Sequence, residues 1–144
     1  MSLDNLVGIS LENINPDANS INKLLNAAKR NIADSHIEQV SLENRFDASY
    51  KAIMQLANAS LQSNGYRTLT SKPGHHIVMI QSLKQTIGLD SSEIIILDAL
   101  RKQRNIADYS GDLVSESLTK DCITSAERLY KLVEKRLNNN LINQ

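Results

Sequence analysis

The sequence has few of the residues that build disulfide frameworks, turns and aromatic surfaces. Its 144 residues include one Cys, two Pro, five Gly, one Phe and no Trp, and aromatic residues make up 3%. A single cysteine, Cys122, excludes an internal disulfide framework and fits a reducing cytosol, so we expect a cytoplasmic protein. So few aromatics argue against the base-stacking surfaces of OB and RRM domains.

Excess charge and long apolar runs are also missing. Sixteen Lys and Arg balance sixteen Asp and Glu, so no global field draws the chain to nucleic acid or to a membrane surface. The start carries no basic signal region, and no apolar run approaches the length of a membrane span. We therefore expect one domain with a hydrophobic core and no membrane contact.

Apolar residues recur at helical spacing in five segments, which predicts an all-α, antiparallel bundle of about five helices with no sheet. The domain plan is an N-terminal arm over 1–18, the bundle over 19–137 and a frayed tail over 138–144. Leu3, Leu6, Val7 and Leu11 of the arm are expected to pack on the bundle.

The predicted helix ends follow from capping residues and glycines. Asn19 or Ser20 caps the first helix, which runs to about residue 32. The second begins after Ser41 and ends at Gly65, the third follows the linker 70–74 and ends at Gly88, the fourth begins at Ser91 or Ser92 and ends near Gly111, and the fifth spans about 117–137.

The second predicted helix carries an apolar face with small residues around it. The apolar residues are Leu42, Phe46, Tyr50, Ile53, Ala57 and Leu61. The small residues are Ala48, Ser49, Ala52, Ala59 and Ser60, which permit close approach of neighbouring helices. With the apolar flank of the fourth helix they predict a homodimer, since one bundle leaves part of this surface uncovered.

Four stretches together resemble the HEPN superfamily over about residues 20–137. They are 41–50 (SLENRFDASY), 65–67 (GYR), 73–76 (PGHH) and 100–111 (LRKQRNIADYSG). The resemblance implies a dimerising helical bundle in a toxin–antitoxin or stress and defence setting, with partners such as a nucleotidyltransferase, a nucleotide or RNA. Many members are metal-independent RNases that use an Arg, a polar residue and then a His, so no cofactor or metal is expected.

The histidine of that motif is missing here. Arg104 matches the Arg and Asn105 the polar residue, whereas Tyr109 stands in the His position, with Asp108 beside it. No histidine follows His76. The chemistry needs a group that exchanges a proton near neutral pH beside a cation, and a tyrosine hydroxyl, with an ordinary pKa of about 10, is a poor base.

The sequence offers two other histidine positions as replacements. Arg30 and His36 form a literal Arg-x5-His match, but on the first helix, where a solvated helix end is the better interpretation. His75 and His76 lie about 100° apart on a helix, so they do not readily face one ligand. We expect His76 to be buried with Ile80 and Leu83, and His75 to be more exposed and able to approach Arg104.

A helical wheel of the fourth helix puts Ile96, Leu100, Gln103 and Ala107 on its core side. Arg104 borders that side and is spaced to pair with Asp108 at i, i+4, a contact of a few tenths of a kcal/mol if exposed. Cations near a helix C-terminus are also favourable without any ligand. The alternative is a functional cleft. Its candidate binding residues are Arg67, His75, His76, Arg101 and Arg104.

Two functions remain open from the sequence. The favoured one is a homodimeric, non-catalytic or weakly active HEPN-like module that binds a partner protein, a nucleotide or RNA near Arg104. The alternative is a metal-independent endoribonuclease in which His75, His76 or Tyr109 supplies the acid–base group. A four-helix metal protein is disfavoured, because the inward Glu-x-x-His pairs that it needs are missing.

Overall fold

The structure is a computed structural model that describes residues 2–71, 74–111 and 114–142, with side chains as far as residue 138. Its elements are a 3₁₀ turn at Leu3–Leu6, β1 at Leu11–Asn13, α1 at Ala18–Ser35, α2 at Leu42–Ser63, β2 at Tyr66–Thr68, α3 at His75–Gln81, α4 at Leu83–Ile87, α5 at Ser91–Ser110 and α6 at Glu116–Ile142. The chain is a predominantly all-α helical bundle, as predicted. No helix in these ranges is long and apolar enough to cross a membrane.

Helix α2 is the centre of the bundle. It begins as predicted after Ser41, whose Oγ accepts a hydrogen bond from the backbone N–H of Asn44 at 3.2 Å. It packs along α1 and α6 and also contacts α3, α4 and α5. Its buried residues are Phe46, Ser49, Tyr50, Ala52, Ile53, Met54, Leu56, Ala57, Ala59, Ser60 and Leu61. Small residues on several sides allow the neighbouring helices to approach closely, as predicted. Ser49, Ala52, Ala59 and Ser60 are fully buried within one chain, however, so they do not supply the uncovered surface that was expected for a dimer.

The prediction of no sheet is wrong, because β1 and β2 pair as an antiparallel two-stranded sheet. Leu11 lies opposite Thr68 and both are buried, so this sheet fixes the N-terminal arm against the bundle. Leu3 is buried as well, which confirms that the arm packs. Three-residue strands are too short to show an alternating pattern, and sequence periodicity therefore misses them.

Several helix limits differ from the predicted ones. Asp17 caps α1, with its Oδ1 accepting from the N–H of Asn19, and Asp90 precedes α5. The third predicted helix is divided into α3 and α4 at Ser82, whose Oγ donates to the carbonyl of Met79 at 2.7 Å. Helix α6 continues to Ile142, past its predicted end near residue 137, and residues 143–144 lie outside the described part.

Candidate functional site

Helix α5 is rotated relative to the prediction. Its buried residues are Leu97 and Leu100, whereas Ile96 is 41% exposed and Gln103 is exposed. The predicted core side is therefore right for Leu100 and for Ala107, which packs against the core, and wrong for Ile96 and Gln103. The side that faces α2 and α3 includes the partly buried Arg104, so the helix directs part of its charged face into the bundle.

Arg104 lies over the ring of Tyr50 from α2. Its Cζ is 5.0 Å from the ring centroid, within the range of a cation–π contact. Its Nε is 3.7 Å from Oδ1 of Asp47 on α2, and its Nη1 is 3.9 Å from Oδ2 of Asp108. The predicted pairing of Arg104 with Asp108 is confirmed. The Nε atom is buried and has no hydrogen-bond partner among the described residues.

Arg101 lies one turn earlier on the same face and is held by its own helix. Its Nε donates to Oδ1 of Asp98 at 2.9 Å, and Lys102 Nζ is 3.4 Å from the other carboxylate oxygen. Burial raises the pKa of Asp98, but the hydrogen bond from Arg101 and the two positive charges outweigh it and leave that pKa below its ordinary value.

His76 joins the cluster from α3. Its Nδ1 is 3.3 Å from the hydroxyl oxygen of Tyr50, whose ring carries Arg104 on its face. The His75 ring packs edge-on against the His76 ring, with centroids 4.6 Å apart. Both histidines are partly buried, so the expected contrast in their exposure does not appear. The contact between His76 and Tyr50 brings α2, α3 and α5 together at one site.

Burial and neighbouring charges shift the ionisation of this cluster. Burial lowers the pKa of His76 from its ordinary value, and the charges of His75, Arg104 and Arg101 lower it further. Burial raises the pKa of Tyr50 to about 12 although the two arginines oppose this effect. His76 is therefore neutral at pH 7, and Tyr50 retains its proton.

Burial also raises the pKa of Asp47, and the charge of Arg104 only partly compensates. The charges around Arg104 nevertheless balance at neutral pH. The cations Arg101, Lys102 and Arg104 face the carboxylates Asp47, Asp98 and Asp108. This arrangement suits a ligand that competes for Arg104 better than a polyanion drawn by excess positive charge.

The remaining predicted site residues lie elsewhere. Asn105 is exposed, and Tyr109 is 94% exposed on the side of α5 that faces away from Arg104. Arg67 lies on β2 and pairs with Glu12 of β1. His36, at the end of α1, is exposed, and its Nε2 lies 3.2 Å from Oε1 of Glu127 on α6.

Sequence reasoning did not assign Asp47 and Tyr50 to the site. The apolar pattern predicts only that Tyr50 belongs to the buried face of the second helix, and it is buried there, with 2% of its surface exposed. A signal was available, because Asp47 is an acidic residue three positions before a tyrosine that shares the apolar face of this helix. Residues three and four apart share one helix face, so the pair predicts a polar edge.

The geometry defines an all-α bundle with a Tyr–His–Arg cluster where three helices meet. Among the described residues, no group of three or more His, Cys, Asp or Glu side chains is arranged to hold a metal ion. No protein-family model matches the chain, and no curated protein matches it.

Proposed function

We propose that this protein is a homodimeric, HEPN-like binding module without efficient catalysis, which holds a phosphate-bearing ligand or a partner protein beside Arg104. The observation that carries the proposal is the orientation of α5. Leu97, Leu100 and Arg104 face the bundle, while three isoleucines of the same helix face outwards. A toxin–antitoxin or stress and defence setting, with a partner such as a nucleotidyltransferase, follows from the resemblance of the motifs.

The outward face of α5 has the properties of a dimer interface. Ile95 is 70% exposed and Ile106 is 55% exposed, three turns further along the same face. Ile96 and Leu100 line a neighbouring groove of about 530 Å³ between α5 and α6. An apolar stripe beside an apolar groove is self-complementary, and a second copy of the chain buries both at once.

Dimer formation through this face would also bring the second copy close to Tyr109. By helical geometry Tyr109 lies about 40° from Ile95, so it belongs to the outward face and not to the Arg104 side. A second copy that covers the isoleucines therefore contacts or approaches Tyr109. The position of the family histidine then belongs to the interface, whereas Arg104 belongs to the cluster within one chain.

The dimer is tested by the mass in solution across micromolar concentrations. We expect light scattering to give twice the 16.0 kDa of one chain. The double variant Ile95→Asp/Ile106→Asp should be monomeric, because two carboxylates would be buried without partners. The matched control is Ile9→Asp, at an isoleucine of the arm that is 65% exposed, and it should remain dimeric. A monomeric parent protein would contradict the proposal.

The low catalytic capacity follows because Tyr109, in the position of the catalytic histidine, and Arg104 lie on different sides of α5. The group in the position of the family histidine is Tyr109, which faces solvent within one chain, and the charges around Arg104 are balanced. General acid–base catalysis contributes typically 10²–10⁴-fold, and its loss leaves binding intact. Arg104 can still contact a phosphate, because its pairs with Asp47 and Asp108 are 3.7 and 3.9 Å long, beyond the usual length of a hydrogen bond.

One observation favours a second function, a metal-independent endoribonuclease. His76 lies 3.3 Å from Tyr50, whose ring is covered by Arg104, and burial keeps this imidazole neutral at pH 7. A neutral imidazole is the form that a general base requires. His76 then replaces the missing histidine from another helix, with the ring of His75 packed against it.

The two functions are separated by an RNA cleavage assay in EDTA with unstructured RNA. We expect no efficient cleavage by the parent protein. Robust cleavage that is lost in both Arg104→Ala and the double variant His75→Ala/His76→Ala would establish the endoribonuclease and contradict the binding module. Cleavage that survives these substitutions would indicate a contaminating nuclease. Cleavage created by Tyr109→His would mean that only the proton carrier is missing.

A further inference from the structure

A second polar groove lies between α1 and α2, outside the Arg104 cluster. It has a volume of about 450 Å³ and is lined by charged and amide side chains with small residues between them. Arg30, Asn31 and Asp34 contribute from α1, and Lys51 and Gln55 contribute from α2. None of these residues is needed for the function proposed above.

The cations of this groove have no acidic partner. Arg30 and Lys51 are both exposed, and neither has a carboxylate within 4.0 Å among the described residues, although Asp34 is one turn from Arg30. With Asp34 as the only acidic side chain in the lining, the groove carries a net positive charge. This differs from the balanced cluster around Arg104.

The groove and the Arg104 cluster differ in charge although each contains the same five-residue sequence. Residues 30–34 and 104–108 both read RNIAD, and in both places the arginine lies on a helix packed against α2. Opposite Arg104, α2 presents Asp47, but one turn later, at the Arg30 groove, it presents Lys51. The arginine of this sequence therefore faces a carboxylate at one site and shares the groove with a second cation at the other.

Amide groups form the rest of the groove. Asn31 Nδ2 donates to Gln55 Oε1 at 2.8 Å, across the two helices. This bond fixes both side chains and leaves Asn31 Oδ1 as an acceptor and Gln55 Nε2 as a donor without partners among the described residues. Base edges present hydrogen-bond donors and acceptors that side-chain amides can bind, so these two groups can both serve a base.

We propose that the α1–α2 groove binds a nucleotide, with Arg30 and Lys51 holding its phosphate and Asn31 and Gln55 contacting its base. Arg binds phosphate through paired N–H donors and Lys binds it as a point charge, so the two cations on opposite walls suit one phosphate group between them. The amide groups of Asn31 and Gln55 contact the base, which inorganic phosphate lacks, so they favour a nucleotide over phosphate. The source is a free mononucleotide or the terminal nucleotide of a single-stranded RNA.

Calorimetric titration with AMP, GMP, adenosine, inorganic phosphate and a short single-stranded oligoadenylate tests the proposal. We expect AMP or GMP to bind more tightly than either adenosine or phosphate, and binding to weaken as salt is raised. A mononucleotide that binds as well as the oligoadenylate indicates the free nucleotide as the ligand. A clear preference for the oligoadenylate indicates an RNA end. Either result supports the site if the variants below agree.

The variants locate the binding. Arg30→Ala and Lys51→Ala should each weaken the affinity at least fivefold, and Gln55→Ala should reduce the preference for nucleotide over phosphate. The matched control is Lys29→Ala, which removes an exposed cation next to Arg30 that does not line the groove. It should bind like the parent, and all variants should retain the parent's helical circular dichroism.

Three results would overturn the proposal. The first is that the parent protein binds none of the nucleotides at millimolar concentration. The second is an equal loss in Lys29→Ala, which would mean that general surface charge carries the binding. The third is that Arg104→Ala abolishes binding while Arg30→Ala and Lys51→Ala have no effect, because the nucleotide would then belong to the other cluster.

Discussion

Helices α2 and α5 are of similar length, 22 and 20 residues, but the bundle uses them in opposite ways. α2 is buried on several sides, and even its serines at 49 and 60 are fully covered. α5 has two buried residues and exposes three isoleucines. Surface helices normally bury their apolar stripe. A helix that buries two leucines, partly buries an arginine and exposes three isoleucines is suited to a further partner.

The same substitution in the two helices should give the largest contrast. Ile53→Ala, at a fully buried position of α2, should cost about 2–5 kcal/mol of unfolding free energy, because it removes packed methylenes and leaves a cavity. Ile106→Ala, at a position of α5 that is 55% exposed, should cost below about 0.5 kcal/mol in dilute protein. Urea unfolding monitored by circular dichroism measures both.

Protein concentration sharpens this comparison. If α5 forms the dimer face, the cost of Ile106→Ala should grow as the concentration rises, since association stabilises the folded state by mass action. The cost of Ile53→Ala should change much less. A large cost of Ile106→Ala at every concentration would mean that this residue packs within one chain, and would remove the main support for the dimer.

The contrast explains which parts of the fold were predictable. The helical spacing of α2, its start after Ser41 and the stop at Gly65 follow from local chemistry, and the structure has all three. The orientation of α5 was not predictable from its wheel, because residues 94–97 are consecutively apolar and indicate no single face. The deciding contact, Arg104 over Tyr50, joins residues 54 positions apart.

The candidate site was likewise only partly predictable, because it depends on contacts between residues that are distant in the sequence. Arg101, Arg104, His75 and His76 were identified from motifs and lie in or next to one cluster. Their meeting point is Tyr50, and the apolar pattern around this residue indicates a core position and nothing more. Asn105 and Tyr109 belong to the same motifs but point elsewhere, since a helix turns adjacent residues to different sides. Arg67 lies on β2 and pairs with Glu12 of β1.

The glycines that end the two helices should give the next effect in size. Gly111 follows α5 with φ +70°, and a Cβ there would meet nothing within 4 Å, so Gly111→Ala carries only the backbone strain of the left-handed region. We expect a cost of about 1–2 kcal/mol, and a smaller cost for Gly111→Asn. Gly65→Ala, after α2 at φ +90°, should cost a similar amount. Thermal unfolding measures all three, and a cost near zero for Gly111→Ala would contradict the assigned end of α5.

Stability should depend on pH through His76, which lies on α3 and contacts Tyr50 of α2, the residue that Arg104 of α5 covers. Its pKa is lowered from 6.5 in the folded chain, so below about pH 6.5 the unfolded state takes up the proton first, and stability falls with falling pH. His76→Asn should flatten the dependence between pH 7.5 and pH 5. Burial is the main cause of the shift, so Tyr50→Phe should leave most of the dependence in place. An unchanged slope in His76→Asn would assign the dependence to another group.

The two carboxylates beside Arg104 should give the smallest effect. Asp47 comes from α2 and Asp108 from α5, and their side chains are 48% and 53% exposed. Double-mutant cycles with Arg104→Gln, Asp47→Asn and Asp108→Asn measure each coupling separately. We expect both couplings to lie below about 1 kcal/mol and to shrink in 1 M salt, because solvent screens half-exposed pairs. A coupling above about 2 kcal/mol that resists salt would mean that one carboxylate holds Arg104 in place. The arginine would then be a structural residue, and a ligand could not readily displace its partner.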